Sequence, residues 1–497
     1  MIAYALILAS IVAGPTITRA DADTEFAITD EPGRWFKNIA GPIGGTQSLA
    51  VTQPGGRVKF SFQNSNTVHT VTSLIFPTGA KGMPFDTPPS KSGADLVLST
   101  PGLYVFVCKV HPYMFAAVIV DDPNTAGLDL GNSITLVNGI TVPTSSDLAT
   151  RLLRTFFIAT NPANWQDRRS SLPWHITYPN VDVRVDIGVV NLPAVLNARY
   201  GNDTTLPALT NPATPGVGEV WVDTQFELTA GKGKPGTATK VDANSWQVAR
   251  KVALPKINMN NPHNMWTDKN QTLIYQTQWF DSKMAVFDRA TGQLVRNIFV
   301  GDAPAHVMTR TDTDQLHVTL NGSAKTNSVV ELAPLATSVQ GTIDIGRGNP
   351  HAHWMSHDGK TMVTPNVFTS DSTIYDFPSN SIAGIAPTGS HPLATGMMPD
   401  ASKYYVANLL DSTITVVNTA TGGVLSTINL LANYDPLSGT ITGPVGALPI
   451  QTPVSPNGRS MVTANTLTGT ITIVDTTTDT VVAMLPCDPG CHGVQFG

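Results

Sequence analysis

Along most of its length the chain alternates short apolar runs with polar turn residues. The segments GGRVKFSFQN (Gly55–Asn64) and PGLYVFVC (Pro101–Cys108) have the period-two pattern of strands in a β-sandwich. One amphipathic helix is predicted over Thr144–Thr160, with Ser146 or Asp147 near its N-cap. The pattern as a whole predicts an all-β protein with little helix.

A repeat begins at about Gly218. Each unit is a strand that ends in an acidic or amide residue, then a polar turn, then another strand. These marker residues are Asp242, Asp288, Glu331, Asp376, Asn418 and Asp475, at steps of 46, 43, 45, 42 and 57 residues. A period of 40–45 residues with several strands per unit is typical of a β-propeller. Six blades are clear and a seventh is allowed, and the terminal CHGVQFG is expected to add a strand that closes the first blade.

The composition shifts along the chain define four regions. Residues 1–22 form an apolar run followed by Ala20-Asp21-Ala22, which predicts a signal peptide and export to the periplasm or the extracellular space. Residues 23–125 are predicted to be a small β-sandwich, residues 126–215 a connector with the helix, and residues 216–497 the propeller. An uncleaved N-terminal anchor is the alternative to cleavage.

The charge of the chain argues against binding to nucleic acid. The formal net charge is −6 and no basic patch occurs, so nucleic acid is not an expected partner.

The candidate chemistry of the sandwich lies on the loop after the strand YVFVC. Cys108, His111 and Met114 follow one another with two residues between each pair, and His69 stands upstream in FQNSNTVHTVTSL. One thiolate, two imidazoles and a weak thioether are the ligands of a type 1 copper site, which exchanges single electrons. The structural alternative is a buried free Cys and Met in a sandwich core with a histidine on a turn.

This arrangement resembles the cupredoxin family, which has one upstream His and a Cys-His-Met loop; the spacing is most like that of the amicyanins. The resemblance implies a Greek-key β-sandwich in which His111 is the ligand nearest the surface and passes electrons to a partner protein. Phe115 departs from the family, which often has Gly there. Asn64 and Asn66 stand where cupredoxins often use an amide to tie the first histidine to the Cys loop.

The repeats resemble the YVTN-type propeller. The segments that carry the resemblance are SHDGKTMVTPN, MPDASKYYVAN and SPNGRSMVTAN, each a polar turn followed by a Val- or Tyr-rich strand. The resemblance covers roughly the last 280 residues and concerns fold alone, since a propeller hosts many functions.

Six histidines recur a few residues before an expected inner strand. They are His263, His306, His351, His353, His391 and His492. Equivalent positions on successive blades converge on one end of the central channel, and neutral imidazole binds copper, zinc, iron and nickel. A second metal centre at the propeller axis is one interpretation, and histidines that only hydrogen-bond neighbouring blades are the other. His317 and His357 are expected to be structural.

The layout has a distant similarity to nitrous oxide reductase, a propeller with channel histidines joined to a cupredoxin-type domain. Three features depart from that enzyme: the sandwich comes first, its loop has a single Cys, and the histidines are fewer and in other motifs. The similarity therefore supports a metal centre more than it supports that reaction.

The other two cysteines, Cys487 and Cys491, stand in CDPGCH. Three residues separate them where covalent haem attachment normally has two, which argues against haem c. In an exported protein a disulfide across the Pro-Gly turn is the simpler expectation, and thiolate ligands for an axial metal are a further alternative.

Two functions follow. The first is a copper-dependent oxidoreductase in which the type 1 copper serves a second copper centre that acts on a small inorganic or organic substrate. This requires the sandwich to dock over its own channel opening or that of another subunit in a homo-oligomer. The second is an electron-transfer protein whose propeller is a metal-free docking platform for a redox partner. Copper storage or delivery is disfavoured because a type 1 site is built for electron transfer.

Overall fold

The computed structural model describes residues 21–496, apart from residues 32, 64, 66, 167–175, 202–213, 226, 228–234, 255–258, 434, 436–441, 444 and 488–490. Strands dominate the described residues, which confirms the predicted all-β class. Nearly all of the predicted signal peptide lies outside the described residues. Within that described part, no helix has both the length and the apolar character that crossing a membrane requires.

The N-terminal domain is a β-sandwich built from one continuous path of hydrogen-bonded strands. The first ten strands of the chain are β1 Asp21–Ile28, β2 Phe36–Asn38, β3 Leu49–Phe62, β4 Thr72–Pro77, β5 Ala94–Leu98, β6 Gly102–Val107, β7 Phe115–Val120, β8 Leu128–Asp129, β9 Ser133–Leu136 and β10 Thr141–Pro143. Nine of them form one sheet in the order β10-β9-β4-β6-β7-β3-β1-β2, with β5 also paired to β3, whereas β8 pairs with β11 Asp182–Val185 of the connector. Strands β9 and β10, from the predicted connector, thus extend the sandwich.

The long strand β3 joins the two layers. Residues Leu49–Thr52 pair with β7, whereas Gly56–Phe60 pair with β5. Gly55 lies between these two stretches with φ +86°, a conformation that glycine adopts without a steric penalty. The strand can therefore bend from one layer to the other.

Strands β6 and β7 are buried along their whole length, on both faces. Tyr104 and Phe106 point into the sandwich core, while Leu103 and Val105 point the other way, to a second apolar cluster that includes Phe156 of the connector. Burial on two sides explains why this part of the sequence reads as an almost continuous apolar run.

The connector folds around the predicted helix, which is confirmed. Its elements are α1 Asp147–Ala159, α2 Pro162–Gln166, β11 Asp182–Val185, β12 Gly188–Asn191 and α3 Leu192–Tyr200. Ser146 is the N-cap of α1, and its hydroxyl accepts a hydrogen bond from the Ala149 amide at 3.2 Å. The apolar face of α1 covers the outer face of β6 and β7.

The C-terminal part holds six small antiparallel sheets among the described residues, in a propeller-like series. The first has three strands: β13 Glu219–Thr224, β14 Thr237–Asp242 and β15 Gln247–Val252. The second and third are β16 Pro262–Thr267, β17 Leu273–Gln278, β18 Lys283–Asp288, β19 Leu294–Phe299, and β20 Pro304–Thr309, β21 Leu316–Leu320, β22 Val329–Leu332, β23 Val339–Ile343. The fourth is β24 Trp354–Met355, β25 Thr361–Asn366, β26 Asp371–Asp376 and β27 Ser381–Pro387. The last two are β28 Pro392–Met397, β29 Lys403–Asn408, β30 Thr413–Asn418, β31 Val424–Asn429, and β32 Pro449–Ile450, β33 Ser460–Asn465, β34 Thr470–Asp475, β35 Thr480–Pro486.

Five of the six marker residues of the repeat end the strand that precedes an outer strand, and Glu331 is one residue before the end of β22. Asp288 ends β18 and accepts the Thr291 amide at 2.7 Å, and Asp475 ends β34 and accepts the Thr477 amide at 2.7 Å. An Asp or Asn in this position satisfies the backbone of the tight turn, so the repeat conserves it from sheet to sheet. The closing strand expected at the C-terminus is not formed by residues 491–496, and the first sheet keeps three strands.

First strands of the first five sheets lie against each other in turn, as they do around a propeller axis, and β32 of the last sheet lies against β29 of the fifth. On one end of this series, the turns between second and third strands carry apolar residues where polar ones are usual. These are Trp279, Phe280, Val367, Phe368, Leu409, Leu410 and Leu467, and all pack into the clusters that contain the sandwich and α1. We call this surface the apolar turn face. It fixes the sandwich on one end of the sheet series.

Candidate metal centres

The first candidate site is the turn between β6 and β7. Successive backbone hydrogen bonds close it: the His111 amide donates to the Cys108 carbonyl at 3.2 Å, and the Met114 amide donates to the His111 carbonyl at 2.9 Å. The Cys108 amide in turn donates to the Met114 carbonyl at 3.1 Å. This tight turn gathers residues 108, 111 and 114, and all three are buried.

His69 comes from the segment before β4 and completes a triangle of donor atoms. Cys108 Sγ lies 3.7 Å from His69 Nδ1 and 3.6 Å from His111 Nδ1, and the two Nδ1 atoms are 3.1 Å apart. An ion at the centre of this triangle would lie about 2 Å from each atom, close to the length of a transition-metal bond to imidazole nitrogen. The three residues therefore fit a metal ion, and we call them the sandwich group.

The far side of the His69 ring is held by Ser65 and Asp30, neither of which is a candidate from the sequence alone. His69 Nε2 lies 2.8 Å from Ser65 Oγ and 3.2 Å from Asp30 Oδ1. A hydrogen bond from Nε2 to the carboxylate leaves Nδ1 to act as the ligand atom and fixes the ring plane. The predicted support from Asn64 and Asn66 falls on positions outside the described residues.

The electrostatics of the sandwich group favour a thiolate. Burial alone raises the pKa of Cys108, but hydrogen bonding and charge interaction with His69, together with the Thr70 amide 3.4 Å from Sγ, lower that pKa below its ordinary value. Burial likewise lowers the pKa of His69, but Asp30 and Cys108 outweigh it and raise that pKa to about 9. A thiolate is the form of cysteine that binds metals.

The second candidate site gathers three of the six recurring histidines. Ring nitrogens of His263 on β16, His306 on β20 and His351 just before β24 all lie within 4.8 Å of one another. The Nε2 atoms of His263 and His351 are 3.2 Å apart. These elements line the inner edge of three successive sheets, so the propeller-like series itself brings the rings together. We call the three residues the propeller group.

The propeller group is neutral and oriented for metal binding. Burial, followed by repulsion among the histidines, holds the pKa of His263 and of His306 well below the ordinary value and lowers that of His351 to about 3. Nδ1 of His351 lies 2.8 Å from the Leu393 carbonyl, so this nitrogen donates and Nε2 faces the other rings. Three unprotonated imidazoles in contact could hold a transition-metal ion.

The other three predicted histidines have different places. His492 lies beside the group, with its ring centroid 5.8 Å from that of His263. Nε2 of His391 lies 2.9 Å from the Lys109 carbonyl oxygen, and this contact connects the propeller-like part to the sandwich loop. His353 is buried outside the propeller group, and neither of its ring nitrogens has a hydrogen-bond partner among the described residues. The same holds for His317, whereas His357 is exposed.

Trp279 is the functional candidate that sequence reasoning missed. It stands on the apolar turn face, and its indole contacts His111 of the sandwich group and His263 of the propeller group. The signal was present in the sequence as the pair Trp279-Phe280, two aromatic residues on a turn where polar residues are usual.

Cys487 and Cys491 form a disulfide in the structure. Cys491 lies beside Thr466, whose hydroxyl donates to the Cys491 carbonyl at 2.9 Å. This hydrogen bond ties the segment that carries His492 to the last sheet.

No protein-family model matches the chain, and no curated protein matches it. Among solved structures, the chain is similar to hydrazine synthase of Kuenenia stuttgartiensis, with a TM-score of 0.43 and 18% sequence identity over 50% of this chain and 80% of that chain. A similarity at this level carries no conclusion about function.

Proposed function

We propose that the chain is an exported copper redox protein in which a type 1 copper site in the sandwich works together with a second copper centre in the propeller group, which acts on a small substrate. We also propose that the sandwich is a cupredoxin domain and that the sheet series is a YVTN-type propeller. The single observation that carries the proposal is the buried triangle of one sulfur and two imidazole nitrogens in the sandwich group.

The donor set of the sandwich group fits copper better than zinc. A buried thiolate and two imidazoles in a triangle, with Met114 in the same loop, are the ligand types of blue copper sites, whereas structural zinc sites take four strong ligands. When bound there, copper supplies reversible one-electron transfer. The chain supplies a buried thiolate, a His69 ring fixed by Asp30, and a loop closed by backbone hydrogen bonds, all of which resist rearrangement.

The propeller group supplies three neutral imidazole nitrogens at the inner edge of the sheets. His492 stands next to these residues, where a fourth imidazole can join the ligand set. With three protein ligands, the residues present would leave a bound ion a position for substrate. An incomplete ligand set is what a catalytic centre needs, since the open position takes the substrate.

The position of His111 favours an intramolecular partner over a docking platform. The resemblance to cupredoxins implies that His111 faces an external protein. In this structure His111 is instead buried against Trp279 and Phe280 of the same chain. The propeller-like part therefore occupies the surface through which a separate partner would approach. The contact between His111 and the propeller-like part lies within one chain, so electron transfer between the two metal-binding groups requires no second subunit.

Metal counting with spectroscopy tests the proposal. Purified full-length protein loaded with copper is expected to hold at least two metal ions and to show the intense visible absorption of a thiolate-to-copper site. Cys108→Ser should abolish that absorption and keep the metal of the propeller group, while His263→Ala with His351→Ala should do the reverse. One copper per chain, unchanged by the histidine substitutions, would instead support a metal-free docking platform, and no visible band would contradict both.

A further inference from the structure

The indole of Trp279 is the one described side chain that the structure records in contact with both metal-binding groups. Its Nε1 touches Nε2 of His111, and the two rings meet edge to face with centroids 5.5 Å apart. On its other side, the indole lies against His263, with ring centroids 4.0 Å apart, and against His351 at 5.4 Å. Trp279 is 1% exposed, so no solvent separates it from these rings.

The position of Trp279 is fixed by both domains. Its backbone amide donates to the Asn261 carbonyl at 3.0 Å, one residue before β16, the strand that carries His263. Its ring belongs to the same apolar cluster as Met114 and Tyr113 of the sandwich loop and Ala305 of β20. Placement by two domains is what a bridge between them requires.

The contact with His111 does not depend on one protonation state. Indole Nε1–H can only donate, so as a hydrogen bond the contact places the imidazole proton of His111 on Nδ1. Binding of an ion by Nδ1 moves that proton to Nε2, after which the two N–H edges face each other without a hydrogen bond. Electronic coupling across van der Waals contact of the two rings does not require that hydrogen bond.

On the basis of the proposed function, we infer that Trp279 is the bridge through which single electrons pass between His111 of the sandwich group and His263 of the propeller group. With copper bound in both groups, the Trp279 indole would carry one electron from a cuprous ion at the sandwich group to a cupric ion at the propeller group, so that the first is oxidised and the second reduced. No bond forms or breaks and no proton is transferred in this step. A one-electron donor protein then reduces the sandwich ion again.

The bridge is tested by the rate of internal electron transfer in the full-length, copper-loaded chain. A ruthenium photoreductant reduces the sandwich ion in a flash, and recovery of the visible thiolate-to-copper absorption reports electron passage to the propeller ion. Trp279→Leu is expected to slow this recovery by an order of magnitude or more, because an aliphatic side chain couples the two histidines weakly. Trp279→Phe keeps an aromatic ring in place and should give an intermediate rate.

Trp266→Phe is the matched control. Trp266 is half-buried; it contacts Thr309, Trp354 and two apolar clusters, and no contact with either metal-binding group is seen among the described residues. This control should leave the rate unchanged, and all three variants should keep the wild-type copper content and visible spectrum. A Trp279→Leu protein that retains both ions and recovers at the wild-type rate overturns the bridge.

A second readout does not depend on turnover or on the internal rate. The emission of Trp279 is the difference between wild type and Trp279→Phe, and cupric ions quench a neighbouring indole. This difference emission should disappear when copper is titrated into both proteins in parallel, and its persistence at full loading contradicts the bridge. If wild type binds one ion or lacks the visible band, the proposed function itself fails and the bridge with it.

Discussion

The Nδ1 atoms of His69 and His111 lie 3.1 Å apart, although 42 residues separate the two histidines along the chain. Each ring points the same nitrogen at the Cys108 sulfur. Two imidazoles approach this closely in a protein interior when a hydrogen bond or a shared ion joins them.

Met114→Leu is expected to keep the copper and raise its reduction potential. A thioether stabilises the cupric ion weakly, and its replacement by an alkyl group of similar volume favours the cuprous form. Potentiometric titration of the visible band measures the shift. Met284→Leu, in a core position that is also fully buried, is the control and should leave the potential unchanged. Equal potentials in all three proteins would mean that Met114 does not act on the ion.

Asp30→Asn is expected to lower copper affinity of the sandwich group by about 10- to 100-fold, since the second partner of a ligand histidine orients the ring and raises its basicity. Competition with a chromogenic chelator measures the affinity. Asp95→Asn changes an exposed carboxylate of the same domain, which pairs with Arg57, and should have no effect. The same affinity in both variants would leave Asp30 without a role in metal binding.

The structure separates two histidines that the sequence treats alike. His306→Ala should reduce the metal content of the propeller group, because His306 belongs to the three-histidine group. His353→Leu should leave metal content unchanged, as measured by elemental analysis of copper-loaded protein.

The same His353→Leu variant is expected to be more stable than wild type. The ring is 1% exposed and neither nitrogen has a hydrogen-bond partner among the described residues, and a buried polar group without a partner costs about 1–3 kcal/mol. Thermal unfolding of the metal-free proteins measures the change. A fall in both melting temperature and metal content would place His353 at the metal centre after all.

Asp223 should make unfolding depend on pH. Burial raises the pKa of this carboxyl to about 8, against a smaller lowering by its hydrogen bond from Gln276. Between about pH 4 and about pH 8 the folded chain therefore holds a proton that the unfolded chain has released, so this residue's contribution to stability falls as pH rises through that range.

Asp223→Asn removes that contribution. The free energy of unfolding, from denaturant titrations across the range, should fall less steeply with pH in the variant than in wild type, and Asp95→Asn should follow the wild-type slope. Parallel curves for wild type and Asp223→Asn would show that the carboxyl titrates normally in the folded protein.

By itself the sequence determined the local elements and the chemistry of single segments. The two-residue spacing of Cys108, His111 and Met114 lies within one tight turn, so the turn's own hydrogen bonds gather them. Ser146 caps α1 through contacts three residues away, and Asp288 and Asp475 recur because each satisfies its own turn. Such short-range effects depend only on residues that are close together in the sequence.

Only the tertiary structure decided which distant side chains meet. Asp30 lies beside His69 because β1 and β3 pair. The positions of the six similar histidine rings depend on how the sheets pack, and this packing places three of them in one group and leaves His353 and His391 outside it. The sandwich covers the apolar turn face because this contact removes the apolar surfaces of both from water. The same contact places Trp279 between the sandwich group and the propeller group. Long-range packing of this kind has no counterpart in the spacing of residues along the chain.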